Sequence, residues 1–245
     1  MTPWDGPPAD SLYGSGLVTD GHGLPLRPGG AALSTALISA AGFRPGGIVL
    51  DIGCGRGESL ARLRALGWQA VGIDQAAAAL CHAGDEPARS LLVRGNGLSL
   101  PFADASLDGV LAECSLSVMP DRAATLLEWA RVLRPGGSLA LSDVYHRRDD
   151  AAFAPAGATT RARLQGEVRD AGLGLAVFED HSDVLREWVA RFIFRYGTLD
   201  ALWAGAGCRA ATSARAGAPG YCLLIARKPD DATGGPGRED FHDGR

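Results

Sequence analysis

The sequence predicts a doubly wound α/β fold around a seven-stranded, mostly parallel sheet whose last strand runs antiparallel, and three observations carry that prediction. From residue 48 onward, short apolar runs alternate with segments of helical spacing, the sequence form of βαβ units. The first of these runs leads into a glycine-rich turn and then a helix start, in "VLDIGCGRGESLARL" at 49–63. A chain of 245 residues with 46% hydrophobic content is also long enough for one large core or at most two small ones.

Residues 1–30 are rich in Gly and Pro ("DGPPAD", "YGSG", "DGHG", "RPGG") and have too few apolar groups to offset their ordering entropy, so they read as a mobile arm. Residues 31–42, "AALSTALISAAG", carry apolar positions at helical spacing and end in Gly42, which suits the residue after a helix. With Tyr13, Leu17 and Leu24, the arm and this helix are expected to close over a crevice as a lid. Strands are expected at 48–52, 70–74, 91–94, 108–113, 138–144, 173–178 and 221–227. The segment 182–204 between the last two is long, helical and aromatic-rich, and it breaks the rhythm; the seventh strand is therefore expected antiparallel at the sheet's edge. The tail 229–245 is polar and without periodicity and reads as disordered, which leaves one domain over 31–228. "RPGG" recurs at 27–30, 44–47 and 134–137, but the spacings match no repeat unit, and the tetrapeptide is expected to stop helices and turn the chain.

A formal net charge of −4, with no basic cluster interleaved with aromatics, argues against a nucleic-acid partner and favours a small molecule. No apolar run approaches the ~18 residues of a spanning helix, and "MTPWDGPPAD" has neither the basic nor the apolar region of a signal peptide. No membrane partner and a cytoplasmic location are expected. The five cysteines, at 54, 81, 114, 208 and 222, include no CxxC pair, so they are read as free thiols with no metal site among them. One lysine among 24 basic residues, with abundant Ala and Gly, points to GC-rich coding and a bacterial source. The oligomeric state has no signal in the sequence.

In the glycine turn, Gly53, Gly55 and Gly57 let the backbone turn tightly and approach a ligand, and N–H groups at the helix start attract an anion. A dinucleotide fingerprint would need a small residue at 58, where Glu58 stands, with Asp51 close by. Two carboxylates suit a ligand with an ammonium and a single carboxylate better than a pyrophosphate, as in the methionyl end of S-adenosylmethionine. Asp74 closes the second strand where a carboxylate accepts ribose hydroxyls in both nicotinamide and adenosylmethionine proteins. In "RGNGLSLPF", 94–102, Asn96 is placed to pair with an adenine edge while Leu98 lies against its face.

"VLDIGCGRG", "VGID", "RGNGLSLPFADASLDGVLAE" and "RVLRPGGSLALSDVY", in this order and spacing, resemble the motifs of class I S-adenosylmethionine-dependent methyltransferases of the small-molecule type. The resemblance covers about 48–146 and implies a Rossmann-like sheet. It also implies a methionyl group held by Asp51, Gly53 and Gly55, ribose on Asp74, and adenine beside Gln75, Asn96 and Gly97, with Cys54 and Glu113 lining the same cofactor site. The family usually has Asp where Asn96 stands, so the adenine amino group would meet a neutral acceptor. A nicotinamide oxidoreductase, disfavoured by Glu58, and a non-catalytic adenosylmethionine-binding module stay open as alternatives.

Methyl transfer from a sulfonium is an in-line displacement for which a protein supplies mainly alignment and desolvation. A base is needed only for a protonated acceptor, and His146 and Asp143, at the carboxyl end of the fifth strand, are the candidates. Glu113 and Cys114, where the fourth strand gives way to a loop, are expected to line the acceptor pocket. The run "AECSLSVMPDRAATLLEWARVLRPGGSLALSDVY" is similar to the arsenite methyltransferase subgroup, which implies a substrate cysteine at Cys114; Cys208, in a glycine-rich stretch, is the candidate second thiol for a trivalent metalloid. A plain core thiol at Cys114 stays open beside this.

Overall fold

The computed structural model describes residues 27–75, 92–148, 158–196 and 219–230. The arm up to residue 26, Cys81, Cys208, residues 197–204 and the tail from 231 lie outside the described residues, so the lid and tail expectations are not addressed by it.

In chain order the elements are α1 (Gly30–Ala40), β1 (Ile48–Ile52), α2 (Glu58–Ala65), β2 (Gln69–Asp74), β3 (Leu92–Arg94), β4 (Leu107–Glu113), a 3₁₀ turn (Leu116–Val118), α3 (Arg122–Val132), β5 (Leu133–His146), α4 (Arg161–Asp170), β6 (Gly174–Asp180), α5 (Ser182–Tyr196) and β7 (Pro219–Arg227). The strands form one seven-stranded sheet in the order β3-β2-β1-β4-β5-β7-β6. Strands β1 to β5 pair in parallel, and β7 is antiparallel to both of its neighbours.

β7 is antiparallel as expected, but it is not at the edge: it inserts between β5 and β6, and β6 takes the edge. Its residues 220–226 are buried throughout, so both faces and both flanks need cover, whereas β6 alternates between exposed and half-buried positions and tolerates one open flank. Cys222 accordingly lies in an interior strand. The "RPGG" at 134–137 does not turn the chain either. β5 begins directly after α3, and Gly136 and Gly137 pair in both directions with Lys228, with N–H···O distances of 3.0 and 2.9 Å. The copies at 44–47 and 27–30 are turns, closed by Gly47 N–H to the Arg44 carbonyl and by Gly30 N–H to the Arg27 carbonyl (both 3.0 Å), and the second of these leads into α1.

Period-two alternation along the strands splits the core in two. Leu50, Ile52, Val110, Ala112, Leu139 and Leu141 face α3 and α4, in a cluster centred on the fully buried Trp129. Val49, Leu111 and Ala140 face the other way, onto α1, α2 and α5 through Leu33, Leu37, Leu60, Leu63 and Leu185. The apolar side of α5 thus packs on the sheet, while Phe194 near its end is almost fully exposed. Among the described residues no helix is long and apolar enough to cross a membrane, and no group of His, Cys, Asp and Glu could hold a metal.

Trp129 ties α3 to the loop after β3, because its indole N–H donates to the Gly97 carbonyl at 2.9 Å. Trp129→Ala should cost about 3–5 kcal/mol of stability through the cavity it leaves, and Trp129→Phe about 1–3 kcal/mol through the unsatisfied carbonyl. Chemical denaturation of the two variants measures both.

Candidate functional site

The alternation that builds the second core also sets polar groups on that face as the strands reach their carboxyl ends. After Val49 comes Asp51 on β1, after Leu111 comes Glu113 on β4, and after Ala140 come Ser142, Val144 and His146 on β5. The strand order reverses between β1 and β4, so this crevice lies at the switch point where α/β sheets bind ligands.

The glycine turn after β1 folds over β2: Gly53 and Cys54 N–H groups donate to the Ile73 carbonyl (2.8 and 3.2 Å), and Gly55 N–H donates to Asp74 Oδ2 (2.8 Å). Gly53, at φ +72°, is needed for a close approach, since a Cβ there would lie 2.4 Å from Ser115 Oγ, which itself donates to the Ile52 carbonyl (2.7 Å). Gly55, at φ +52°, is different: a Cβ there would meet nothing within 4 Å among the described residues, which leaves that side of the turn to a ligand. Cys54 is buried and its thiol is pushed up by burial and then by Asp51, so it stays protonated on the inner side of the turn. The Gln75 carbonyl accepts from Arg94 Nε at 3.2 Å. Asn96 uses its Oδ1 to accept the Leu98 N–H (2.8 Å), which holds the turn that presents Gly97.

Two acids dominate the electrostatics. Glu113 is clamped: Oε2 accepts from Arg27 Nε (2.9 Å) and Ser34 Oγ (2.5 Å), and Oε1 accepts from Ser59 Oγ (2.5 Å). Arg27 also reaches Glu58 Oε2 (3.2 Å) and Ser59 Oγ (3.1 Å). Asp51 is buried with Oδ2 unpartnered among the described residues; burial, and then the negative charge of Glu113, push its carboxyl up to about 8. Sequence reasoning missed Arg27, Ser34 and Ser59. An arginine in a glycine-proline stretch and two serines on helices carry no periodicity or motif that points at a carboxylate 54 to 86 positions away.

Of the acceptor-side candidates, Cys114 stands in a left-handed conformation (φ +53°), its N–H donating to the Ser142 carbonyl (2.7 Å) and its Sγ 3.1 Å from the buried Tyr221 Oη. Tyr221 Oη donates in turn to Ser142 Oγ (3.1 Å). Cys114 packs against the second core, and the proposed second thiol, Cys208, lies outside the described residues. Asp143 points to the α3 and α4 side, where Oδ2 accepts the Ser117 N–H (2.8 Å) and Oδ1 the Val144 N–H (2.7 Å); it pins the 3₁₀ turn and is not brought together with Glu113. His146 is buried, and neither ring nitrogen has a partner among the described residues. Burial lowers its pKa, so the imidazole is neutral at pH 7.

A switch-point crevice lined by a glycine turn and an acid at the end of each of the first two strands defines a nucleoside-binding α/β enzyme. Residues 50–141 match the family model described as a methyltransferase domain. The chain is 32% identical over 188 residues to the 27-O-demethylrifamycin SV methyltransferase of Amycolatopsis mediterranei, covering 73% of this chain and 67% of that one. It is 40% identical over 103 residues to the O-methyltransferase resE of Aspergillus sclerotiorum, an overlap of 39% of each chain. Among solved structures, the [4+2]-cyclase SpnF is similar at 28% identity and a TM-score of 0.65, over 81% of this chain and 80% of that one. The chain belongs to the class I S-adenosylmethionine-dependent methyltransferases. Its residues fit that cofactor: the orphaned, buried Asp51 Oδ2 suits an ammonium, and the open side of Gly55 leaves room for the methionyl chain.

The Asp51 carboxyl takes up a proton on folding wherever the pH lies between its ordinary value of 3.8 and about 8. Its contribution to stability is therefore fully present below pH 3.8 and is lost as the pH rises towards 8. Asp51→Asn should remove this loss and raise stability at pH 8 by on the order of a few kcal/mol, while weakening S-adenosylhomocysteine binding about tenfold or more. Denaturation curves at pH 5 and 8, with calorimetric titration, check the two halves.

Proposed function

We propose that the protein transfers a methyl group from S-adenosylmethionine to a hydroxyl of an extended organic acceptor, with His146 as the proton acceptor. One observation carries this reading. The buried side-chain polar atoms without a partner among the described residues are Asp51 Oδ2 and both ring nitrogens of His146, which lie on the same face of the sheet towards the carboxyl ends of their strands. Buried polar groups are otherwise satisfied, so such orphans mark places a ligand fills. Asp51 is level with Leu111 and, through it, with Ala140; His146 stands six residues beyond Ala140, roughly 20 Å along the strand at about 3.3 Å per residue. That length accommodates the methionyl end of the cofactor with the acceptor hydroxyl between its sulfonium and His146.

In this reading Asp51 receives the ammonium, Gly53 and Gly55 border the methionyl chain, Asp74 takes the ribose, and Gln75, Asn96 and Gly97 border the adenine. When bound, the cofactor supplies a methyl group on a sulfonium, whose loss leaves a neutral thioether. Glu113, clamped by Arg27 and two serine hydroxyls, stands on the same face of the crevice as Asp51. His146 takes the hydroxyl proton as the acceptor oxygen gains the methyl, and passes it on to water. The similarity to a protein named for a 27-O-demethylrifamycin substrate, and to one named an O-methyltransferase, supports a hydroxyl acceptor. Arsenite, the finer alternative, rests on Cys114 and Cys208, and the Cys114 sulfur is turned to Tyr221.

His146→Gln should lower kcat on aliphatic hydroxyls by about 10²–10⁴ and far less on acidic phenols, which need little help in losing the proton. In the native enzyme kcat should hold through neutral pH and fall only below the ordinary histidine value of 6.5. Cys114→Ser should leave turnover of organic acceptors within about threefold, a change below ~0.7 kcal/mol. Mass spectrometry reads the product: a gain of one methylene confirms transfer. Arsenite turnover lost in Cys114→Ser would replace the hydroxyl reading by the metalloid one, and a product isomeric with its substrate would point to cyclisation.

A further inference from the structure

α5 has a second side that neither the core nor the crevice uses. Leu185, Trp188 and Val189 pack against the second core, while Asp183, Glu187, Ala190, Arg191 and Phe194 are exposed on the opposite side of the helix. Residues 183, 187, 190 and 194 follow one another at intervals of four, three and four, the spacing of a seam along which a second helix packs. Phe194 lies on this seam at 95% exposure. Ala190 stands one turn before it, and with Glu187 and Arg191 the two line an open groove. The crevice is elsewhere. β6 ends at the ligand edge, where Asp180 is level with Cys222 and so with Asp143, and α5 starts two residues later and packs back along β7. Phe194, twelve residues beyond Ser182, is therefore about 18 Å further along the helix at 1.5 Å per residue, out of reach of a ligand bound in the crevice.

The charges on the seam select what covers it. The acids Asp183 and Glu187 stand towards the start of the helix and Arg191 towards its end. Laid parallel on a second copy of itself, the seam would set Glu187 against Glu187 and Arg191 against Arg191. Laid antiparallel about a two-fold axis, it brings Glu187 of each copy beside Arg191 of the other, and both pairs form at once. Glu187 and Arg191 already pair within the helix at 2.6 Å, but both are mostly exposed, so they exchange partners at little cost. The same crossing seats Phe194 on the other copy's seam beside Ala190, whose small side chain lets the two helices approach closely. We infer that the protein self-associates through this seam, as a two-fold dimer in which the α5 helices cross antiparallel. A single helix pair covers less than the about 800 Å² per partner of a standard interface, so the dimer forms and parts with concentration instead of being permanent. Because the crossing lies away from the ligand edge, both crevices stay open.

The test is sedimentation equilibrium of the full chain from about 5 to about 500 µM, a span that brackets micromolar association. The mean mass should rise with concentration from that of one chain towards that of two. Phe194→Ser should weaken association about tenfold or more without lowering the melting temperature of the dilute protein, since so exposed a side chain packs little on its own chain. Glu187→Arg and Arg191→Glu, each alone, should weaken it about tenfold by opposing like charges, and the two together should restore it. A native chain that stays monomeric at the top of the concentration range would overturn the inference. If Phe194→Ser then lowers the melting temperature, a segment of the same chain covers the seam instead. A dimer that Phe194→Ser leaves as tight as before would place the contact elsewhere and overturn the inference as well.

Discussion

Two carboxylates, Asp51 and Glu113, end adjacent strands on the same dry face, and the surroundings of the crevice answer to that constraint. Like charges this near each other cannot both be left bare at neutral pH. The protein treats them unequally. Glu113 is given a guanidinium and two serine hydroxyls, whereas Asp51 Oδ2 has no hydrogen-bond partner among the described residues. At the opposite end of the same sheet a third buried acid, Asp108, accepts from the Ile48 N–H (2.8 Å) and Arg134 Nη1 (2.7 Å). The contrast shows that the fold can satisfy a buried aspartate when nothing else is to bind it. An unsatisfied one at the ligand-binding edge costs stability in return for a site that selects a cation.

The sheet order turns this local asymmetry into a crevice. Placing β4 beside β1 brings Glu113 next to Asp51, and inserting β7 beside β5 makes β5 an interior strand, long enough to carry Ser142 and His146 past the level of the glycine turn. β4 ends in a tight reversal in which Cys114 adopts a left-handed backbone and Ser115 seats its hydroxyl over Gly53. A left-handed non-glycine residue costs about 1–2 kcal/mol, and the hydrogen bonds of Cys114 and Ser115 to β5 and β1 offset it. The sequence marks this turn as a place for a substrate thiol. Its geometry serves at least as directly to join three strands at the floor of the site.

The sequence by itself determined the parallel βαβ core, five strands and their order along the chain, the glycine turn, and the acids Asp51, Asp74 and Glu113. These are legible because each is local: a strand run, a turn and a helix start follow one another within a few residues, and a residue at the end of a parallel strand is at the ligand edge whatever else the chain does. It did not determine that β7 is interior, because its apolar run reads the same for a central strand as for a covered edge. Nor did it show that Pro135 begins inside a strand, since a helix stop and a strand bulge share the residues Pro-Gly-Gly. Only the tertiary structure decided which polar side chains are spent and which are left. It assigned Asp143 to a turn and Asn96 Oδ1 to its own loop, left the His146 ring without a partner among the described residues, and brought Arg27 to Glu113 across 86 positions of sequence. A hydrogen-bond partner is chosen by proximity in the folded chain, and residue type and spacing along the chain do not encode that proximity when the partner comes from another element.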